Sequence, residues 1–297
     1  MLNLSSLKYL KVLEADGGPV AEIRIREFPV NGEKQYLANA RLRDELVGER
    51  PKLQLYSAFD GSGLSVHQGV ARSMAISEAL ERWAFHAKVR AADRELYGFD
   101  VDESSNGMAA FPGLFAYQAR SHAFYEAVER VSVMGWWEGL LDGEMRATPW
   151  LNTSAVVIPN PVGKGCTVIT VRSSDAGYFS YGTGAGADYK GALRRAMNEL
   201  ARNDYVLGLH RTFDGIQTRE EPKDLFERRC LYFSTDKGFA EFNERIQRRT
   251  RVGNYRPAIA CDTEIRGPWT KYATVWRVLI PPPSQAFMGQ TERYFFW

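Results

Sequence analysis

The chain has 297 residues, enough for one large domain or two small ones, and a formal charge of +2, so it carries no basic field that would attract nucleic acid. Hydrophobic residues make up 44% and charged residues 25%, which supplies a core and excludes a chain disordered throughout. Cys166, Cys230 and Cys261 form no CxxC pair and no even disulfide framework, which suits a reducing compartment. The opening MLNLSSLKYLKVLEADGG lacks the long apolar run and small-residue cleavage site of a signal peptide, and no stretch is apolar for the length of a membrane span. A cytoplasmic protein with neither a membrane nor a nucleic-acid partner is expected.

In chain order, Ile23 and Ile25 alternate with Arg24 and Arg26 in the period-two pattern of a strand, and Pro29 is expected to end it. Leu53–Tyr56 reads as a second strand leading into a turn at Asp60-Gly61-Ser62-Gly63. Residues 66–92 read as a long helix rich in Ala, Glu, Leu and Arg. A loop at Ser104-Ser105-Asn106-Gly107 precedes a second helix over roughly 113–134, and strands are expected at 153–158, 166–172 and 177–182. Gly163-Lys164-Gly165 lacks the Ser/Thr and upstream glycine of a Walker motif and reads as a turn between strands. Gly182-Thr183-Gly184-Ala185-Gly186 is not GxGxxG and reads as a close-packed strand-to-helix turn before a helix over 188–209.

The remainder holds an amphipathic segment at 236–251, whose Arg245, Arg248, Arg249 and Arg251 read as a solvated face, and strands near 256–262 and 272–280. Trp269, Tyr272 and Trp276 read as strand residues packing into the core, and Pro281-Pro282-Pro283 opens a tail over 281–297 with an aromatic end. No Pro/Ser/Gly-rich linker divides the chain, so 1–297 reads as a single α+β domain, with mixed or antiparallel strands packed on a few long helices.

An internal repeat carries the most information. Ala71-Arg72-Ser73-Met74-Ala75-Ile76-Ser77-Glu78-Ala79-Leu80-Glu81-Arg82 returns 48 residues later as Ala119-Arg120-Ser121-His122-Ala123-Phe124-Tyr125-Glu126-Ala127-Val128-Glu129-Arg130, with eight of twelve positions identical. A weaker copy, Ala192-Leu193-Arg194-Arg195-Ala196-Met197-Asn198-Glu199, keeps both alanines and the first glutamate, with Arg202 in place of the second. On a helix Glu78 and Glu81 share one face, as do Glu126 and Glu129, and the alanines permit close helix approach. Read singly, each Glu-x-x-Glu-Arg is a solvated face with local ion pairs. Repetition with the same small residues argues for more.

Four converging carboxylates repel one another unless a cation sits among them, and their hard oxygens suit Mg²⁺, which commonly shares its shell with substrate phosphates. Arg82, Arg130 and Arg195 are then candidates to meet phosphate oxygens. His122 lies four residues before Glu126 on the same face, while a packed histidine remains the simpler reading.

At these residues the chain resembles the YcaO family of ATP-dependent enzymes that modify peptide backbones. The resemblance rests on an ordered set over about 60–205: Gly61-Ser62-Gly63; Ser73 with Glu78, Glu81 and Arg82; Asn106-Gly107-Met108-Ala109-Ala110; Glu126, Glu129 and Arg130 followed by Trp136-Trp137; Tyr181-Gly182-Thr183-Gly184; and Ala192-Leu193-Arg194-Arg195-Ala196 with Glu199. It implies ATP and Mg²⁺ as cofactors. Glu78, Glu81, Glu126 and Glu129 are the implied metal ligands, and Ser73, Arg82, His122, Arg130 and Arg195 the implied nucleotide contacts. The pattern departs from the family where a Gly-Lys-Gly turn reads Gly61-Ser62-Gly63, at Met74 and Gln118 where polar or acidic residues are usual, and at Phe111 in place of a glycine.

The resemblance further implies phosphorylation of a peptide amide oxygen after a nucleophile adds to the carbonyl. Cyclodehydration of Cys, Ser or Thr to azolines in a ribosomally made precursor peptide comes first, then thioamide formation, then an accessory role in ribosomal-protein methylthiolation. The departures leave open a nucleotide-binding scaffold that has lost catalysis, and no catalytic residue is singled out. No segment looks dedicated to a leader peptide, so a separate leader-binding partner is expected, with a homodimer left open. The tail is expected to dock, either beside the acidic residues or against a partner subunit, while a tail that finishes the core is the simpler reading.

Overall fold

The computed structural model describes residues 5–48, 55–56, 59–214, 222–248, 255–289 and 291–295. In chain order these form α1 (Ser5–Lys8), β1 (Val20–Val30), β2 (Glu33–Leu42), β3 (Gly61–Ser65), α2 (Gln68–Lys88), β4 (Met108–Phe111), α3 (Tyr117–Trp137), β5 (Glu144–Ala147), β6 (Thr153–Pro159), β7 (Cys166–Ser173), β8 (Phe179–Gly186), α4 (Tyr189–Asp214), α5 (Leu225–Phe233), α6 (Asp236–Gln247), β9 (Cys261–Ile265) and β10 (Thr274–Leu279). This is an α+β fold with antiparallel pairing between its named strands. Two compact units divide the chain: Met1–Pro51, Ala58–Ala127 and Ile259–Pro281 make the first, and Lys52–Ser57, Val128–Ala258 and Pro282–Trp297 the second. Each unit draws on separate stretches, which is why no linker composition marks a boundary.

In the first unit β1-β2-β3 form one sheet and β4-β10-β9 another. Asn31 and Gly32, at φ 50° and 82°, supply the two left-handed residues that a tight hairpin between β1 and β2 needs. Pro29 does not end β1 but lies within it, paired with Lys34, a position tolerated because β1 is an outer strand. The Leu53–Tyr56 strand lies outside the described residues except for Leu55 and Tyr56, which form a bend. The apolar core gathers Val20, Leu42, Ala71, Ile76, Leu80, Phe99 and Trp269.

The expected turn at Gly61-Ser62-Gly63 is the start of β3, paired with β2 from Ala40↔Gly61 to Ala38↔Gly63. Glycine stands there because α2 lies against the strand: a Cβ on Gly61 would sit 2.1 Å from the Ala75 carbonyl oxygen, and one on Gly63 2.2 Å from that of Ala71. Trp269 is not on a strand. Gly267 and Pro268 break the chain into a single 3₁₀ turn over Pro268–Lys271, and only Trp276 of the three lies on β10. The C-terminal strand pair likewise begins later than expected, at Cys261.

In the second unit β5-β6-β7-β8 form one sheet, and α4 lies on β8 as α2 lies on β3. A Cβ on Gly182 would sit 2.2 Å from the Ala196 carbonyl oxygen, and one on Gly184 2.5 Å from the Ala196 nitrogen. The expected turn at 182–186 is therefore also strand. Gly163 and Gly165, at φ 77° and 97°, do form the turn between β6 and β7. The pairs β3–α2 and β8–α4 are copies 121 residues apart, matching Gly61, Gly63, Ala71, Ala75 and Glu78 to Gly182, Gly184, Ala192, Ala196 and Glu199.

The tail closes the second unit's core. Phe295 is fully buried, its ring 5.0 Å from those of Phe233 and Phe242 and 5.1 Å from Tyr181. Arg229 donates to the carbonyls of Phe287 at 2.7 Å, Gly289 at 3.1 Å and Thr291 at 3.1 Å, and Tyr294 donates to Glu138 at 2.7 Å. Phe296 and Trp297 fall outside the described residues. Arg245, expected on a solvated face, is buried over the Trp136 ring and donates to the carbonyls of Trp136, Leu141 and Arg248. Arg248 is exposed and pairs with Glu244, while Arg249 and Arg251 lie outside the described residues. Among the described residues no helix is long and apolar enough to cross a membrane.

Candidate functional site

In the first unit, the alanine face of α2 (Ala71, Ala75, Ala79) is buried, which fixes the direction of Glu78 and Glu81. Glu78 Oε2 accepts the Ser62 backbone N–H at 2.9 Å. Glu81 is 8% exposed, and its carboxyl is pushed well above the usual carboxylate range by burial first and then by the neighbouring charge of Glu126, with Glu78 adding to it. Arg82 and Arg277 oppose that shift. Arg82 also donates to the Ser105 hydroxyl.

Arg277 is a residue the repeat did not point to. It lies on β10 with no exposed surface, donates to the Ser104 and Asp102 carbonyls at 2.8 Å each, and stacks 4.0 Å from the Phe99 ring. Burial works against its charge, while Asp102, Glu126 and Glu81 work for it. Its one signal in the sequence is a cation within the apolar strand Val275-Trp276-Arg277-Val278-Leu279. Two implied nucleotide contacts are engaged locally. The Ser73 hydroxyl donates to the Gly69 carbonyl of its own helix at 2.9 Å, and exposed His122 stacks on Phe111, centroids 5.7 Å apart.

In the second unit, the three residues Glu129, Thr183 and Glu199 meet. The Thr183 hydroxyl lies 2.6 Å from Glu129 Oε1 and 3.0 Å from Glu199 Oε2. The backbone N–H groups of Ala185 and Thr183 donate to Glu129 Oε2 at 3.1 Å and to Glu199 Oε2 at 2.8 Å. Burial raises the Glu199 carboxyl, Glu129 raises it further, and Arg130 and Arg202 oppose the change. Arg195 donates to the Ala185 carbonyl at 2.7 Å. In the sequence Glu199 stands in a weak repeat copy and Thr183 in a glycine run, and neither is a candidate site residue. The partnership between them appears once strand and helix are in register.

The chemistry of each group is that of hard oxygen donors with arginine close by. Among the described residues no three His, Cys, Asp or Glu side chains converge on one metal position. Mg²⁺ does not require such a cage, since it usually takes one or two carboxylates and completes its shell with water and phosphate. A buried carboxyl held against a second one, as Glu81 is against Glu126, fits a group that gains from a nearby cation.

Comparison with known proteins agrees on the fold. The chain is similar to the structure of YcaO from Methanopyrus kandleri bound with AMPPCP and Mg²⁺, with a TM-score of 0.54 and 15% sequence identity over 93% of this chain and 89% of that one. The chain therefore has a YcaO-like fold. Neither protein-family models nor curated protein sequences give a match.

Proposed function

We propose that this chain is an ATP- and Mg²⁺-dependent enzyme of the YcaO type that modifies the backbone of a ribosomally made precursor peptide, with azoline formation from Cys, Ser or Thr as its reaction. The observation that carries this reading is the buried carboxyl of Glu81, set against Glu126 and Glu78 with Arg82 and Arg277 beside them. Such a group is costly as a bare cluster and favourable around a cation that also binds phosphate. Glu78, Glu81 and Glu126 would supply the ligands for Mg²⁺, one or two carboxylates to an ion, with water and phosphate completing the shell. Arg82 would meet phosphate oxygens there, and in the second unit, taken by itself, Glu129 is a candidate metal ligand with Arg130 and Arg195 as candidate phosphate contacts. The similar fold bound with AMPPCP and Mg²⁺ supports the pairing of nucleotide and metal. When bound, ATP supplies the phosphoryl group that turns a poor leaving oxygen into phosphate. The chain's own residues position and stabilise charge.

Glu126→Gln tests this directly. Mg–ATP affinity measured by calorimetry is expected to fall about tenfold, one ionic contact's worth, with the protein still folded. Equal affinity in wild type and variant would sink the metal-site reading. A second reading, a nucleotide-binding subunit without turnover, is favoured by Met74, 45% exposed where a polar residue is usual, and by the missing cation at Ser62. ATP hydrolysis in the presence of a precursor peptide and a separate leader-binding partner would exclude it.

A further inference from the structure

We infer that Thr183 is a positioning residue, whose hydroxyl sets the direction of the Glu129 carboxylate while its backbone N–H sets that of Glu199. The inference rests on the Mg–nucleotide reading for its functional meaning and on the geometry of the second unit for its substance. Thr183 stands between Gly182 and Gly184, which have no side chains because the α4 backbone occupies that space. It pairs with Ile169 across β7 and is 2% exposed. A backbone held on both sides gives Oγ1 a fixed place. The glutamates that reach this residue have several rotatable bonds each, so the strand orients them and not the reverse.

The grip on Glu129 is two-pointed. Thr183 Oγ1 holds Oε1 at 2.6 Å and the Ala185 N–H holds Oε2 at 3.1 Å, so two residues of β8, two positions apart, fix the plane of one carboxylate. Glu199 is held at the same residue, by its backbone N–H at 2.8 Å and with the hydroxyl at 3.0 Å. The backbone part of this device recurs in the first unit, where the Ser62 N–H holds Glu78 at 2.9 Å. In both copies sixteen residues separate the strand donor from the helix acceptor. A hydroxyl at that register is in each case the middle residue of Gly-x-Gly. A carboxylate already aimed loses less freedom when it meets a cation, which raises affinity without a new contact.

Thr183→Val keeps the β-branched shape and the N–H to Glu199 and removes only the hydroxyl, while Thr183→Ser keeps the hydroxyl. Mg–ATP affinity by calorimetry is expected to fall about tenfold in the valine variant and to stay within twofold of wild type in the serine variant, with both ligand-free melting temperatures within a few degrees of wild type. In ligand-free protein, the ¹³C carboxyl resonance of Glu129 is expected to shift and broaden in the valine variant and not in the serine variant. Unchanged affinity in the valine variant, or equal loss in both, would overturn the inference. If wild type binds no Mg–ATP, the nucleotide reading fails instead, and the Glu129 resonance decides the positioning role: unchanged in the valine variant, it overturns that role too.

Discussion

The strand–helix pairs β3–α2 and β8–α4 share one backbone device and differ in charge and in what surrounds them. In each, two glycines let a helix rest on a strand, and a strand N–H holds a helix glutamate, Glu78 or Glu199. One turn further along, the first pair carries Glu81 and the second Arg202. Four residues earlier the first carries Met74 and the second Arg195. Burial raises the carboxyl in both pairs and two arginines oppose each rise, but Glu81 also feels two neighbouring carboxylates, Glu126 and Glu78, where Glu199 feels Glu129. A duplicated scaffold can hold two electrostatic environments because the glycine–alanine contact fixes the geometry and leaves the outward helix positions free to vary.

The largest expected effect separates the two surroundings. β8 belongs to a core closed by the tail, with the Tyr181 ring 5.1 Å from Phe295. Phe295→Ala should cost about 3–5 kcal/mol, the usual range for a buried phenylalanine, read by denaturant unfolding. Amide exchange should rise in β8 before it rises in β3. Equal loosening of both strands would break the contrast.

The shared device predicts the next effect. Gly61→Ala and Gly182→Ala each place a Cβ within 2.2 Å of helix backbone and should each destabilise by roughly 1–3 kcal/mol through overpacking. Similar melting-temperature losses would sharpen the claim of equivalence. A neutral substitution at either glycine would show that the two contacts are not the same device.

The smallest effect reads the charge difference. Because the folded protein raises the Glu81 carboxyl above its unfolded value, the folded state binds more protons there. Its stability is lost as pH rises from the ordinary carboxylate range through the raised value. Glu81→Gln should therefore raise the metal-free melting temperature at neutral pH by about 2–4 °C, roughly 1 kcal/mol, and the gain should vanish near pH 4. Glu81→Gln that lowers stability at pH 7 without metal would show that the carboxylate is already compensated.

The sequence by itself determined the three long helices. The expected ranges 66–92, 113–134 and 188–209 lie over α2, α3 and α4, and strands β6 and β7 fall over the expected 153–158 and 166–172. Helix period and strand alternation are local signals, set by residues within a turn or two of one another. The Glu-x-x-Glu-Arg repeat was legible for the same reason, since i, i+3 geometry needs no tertiary partner. β2, β4, β5 and α5 were not expected. In β2 the buried residues include Ala38 and Ala40, too small to stand out as an apolar stripe. The glycine runs at 61–63 and 182–186 read as turns in the sequence, because a glycine marks equally a bend and a place where another backbone passes. Only the helix lying against it decides which. Arg245 reads as solvated, and Arg277 is not singled out, because a charge in a sequence carries no sign of the carbonyls that will surround it. Thr183 and Glu199 met for the same reason: a hydrogen bond between a strand and a helix sixteen residues on exists only once the two are packed in register.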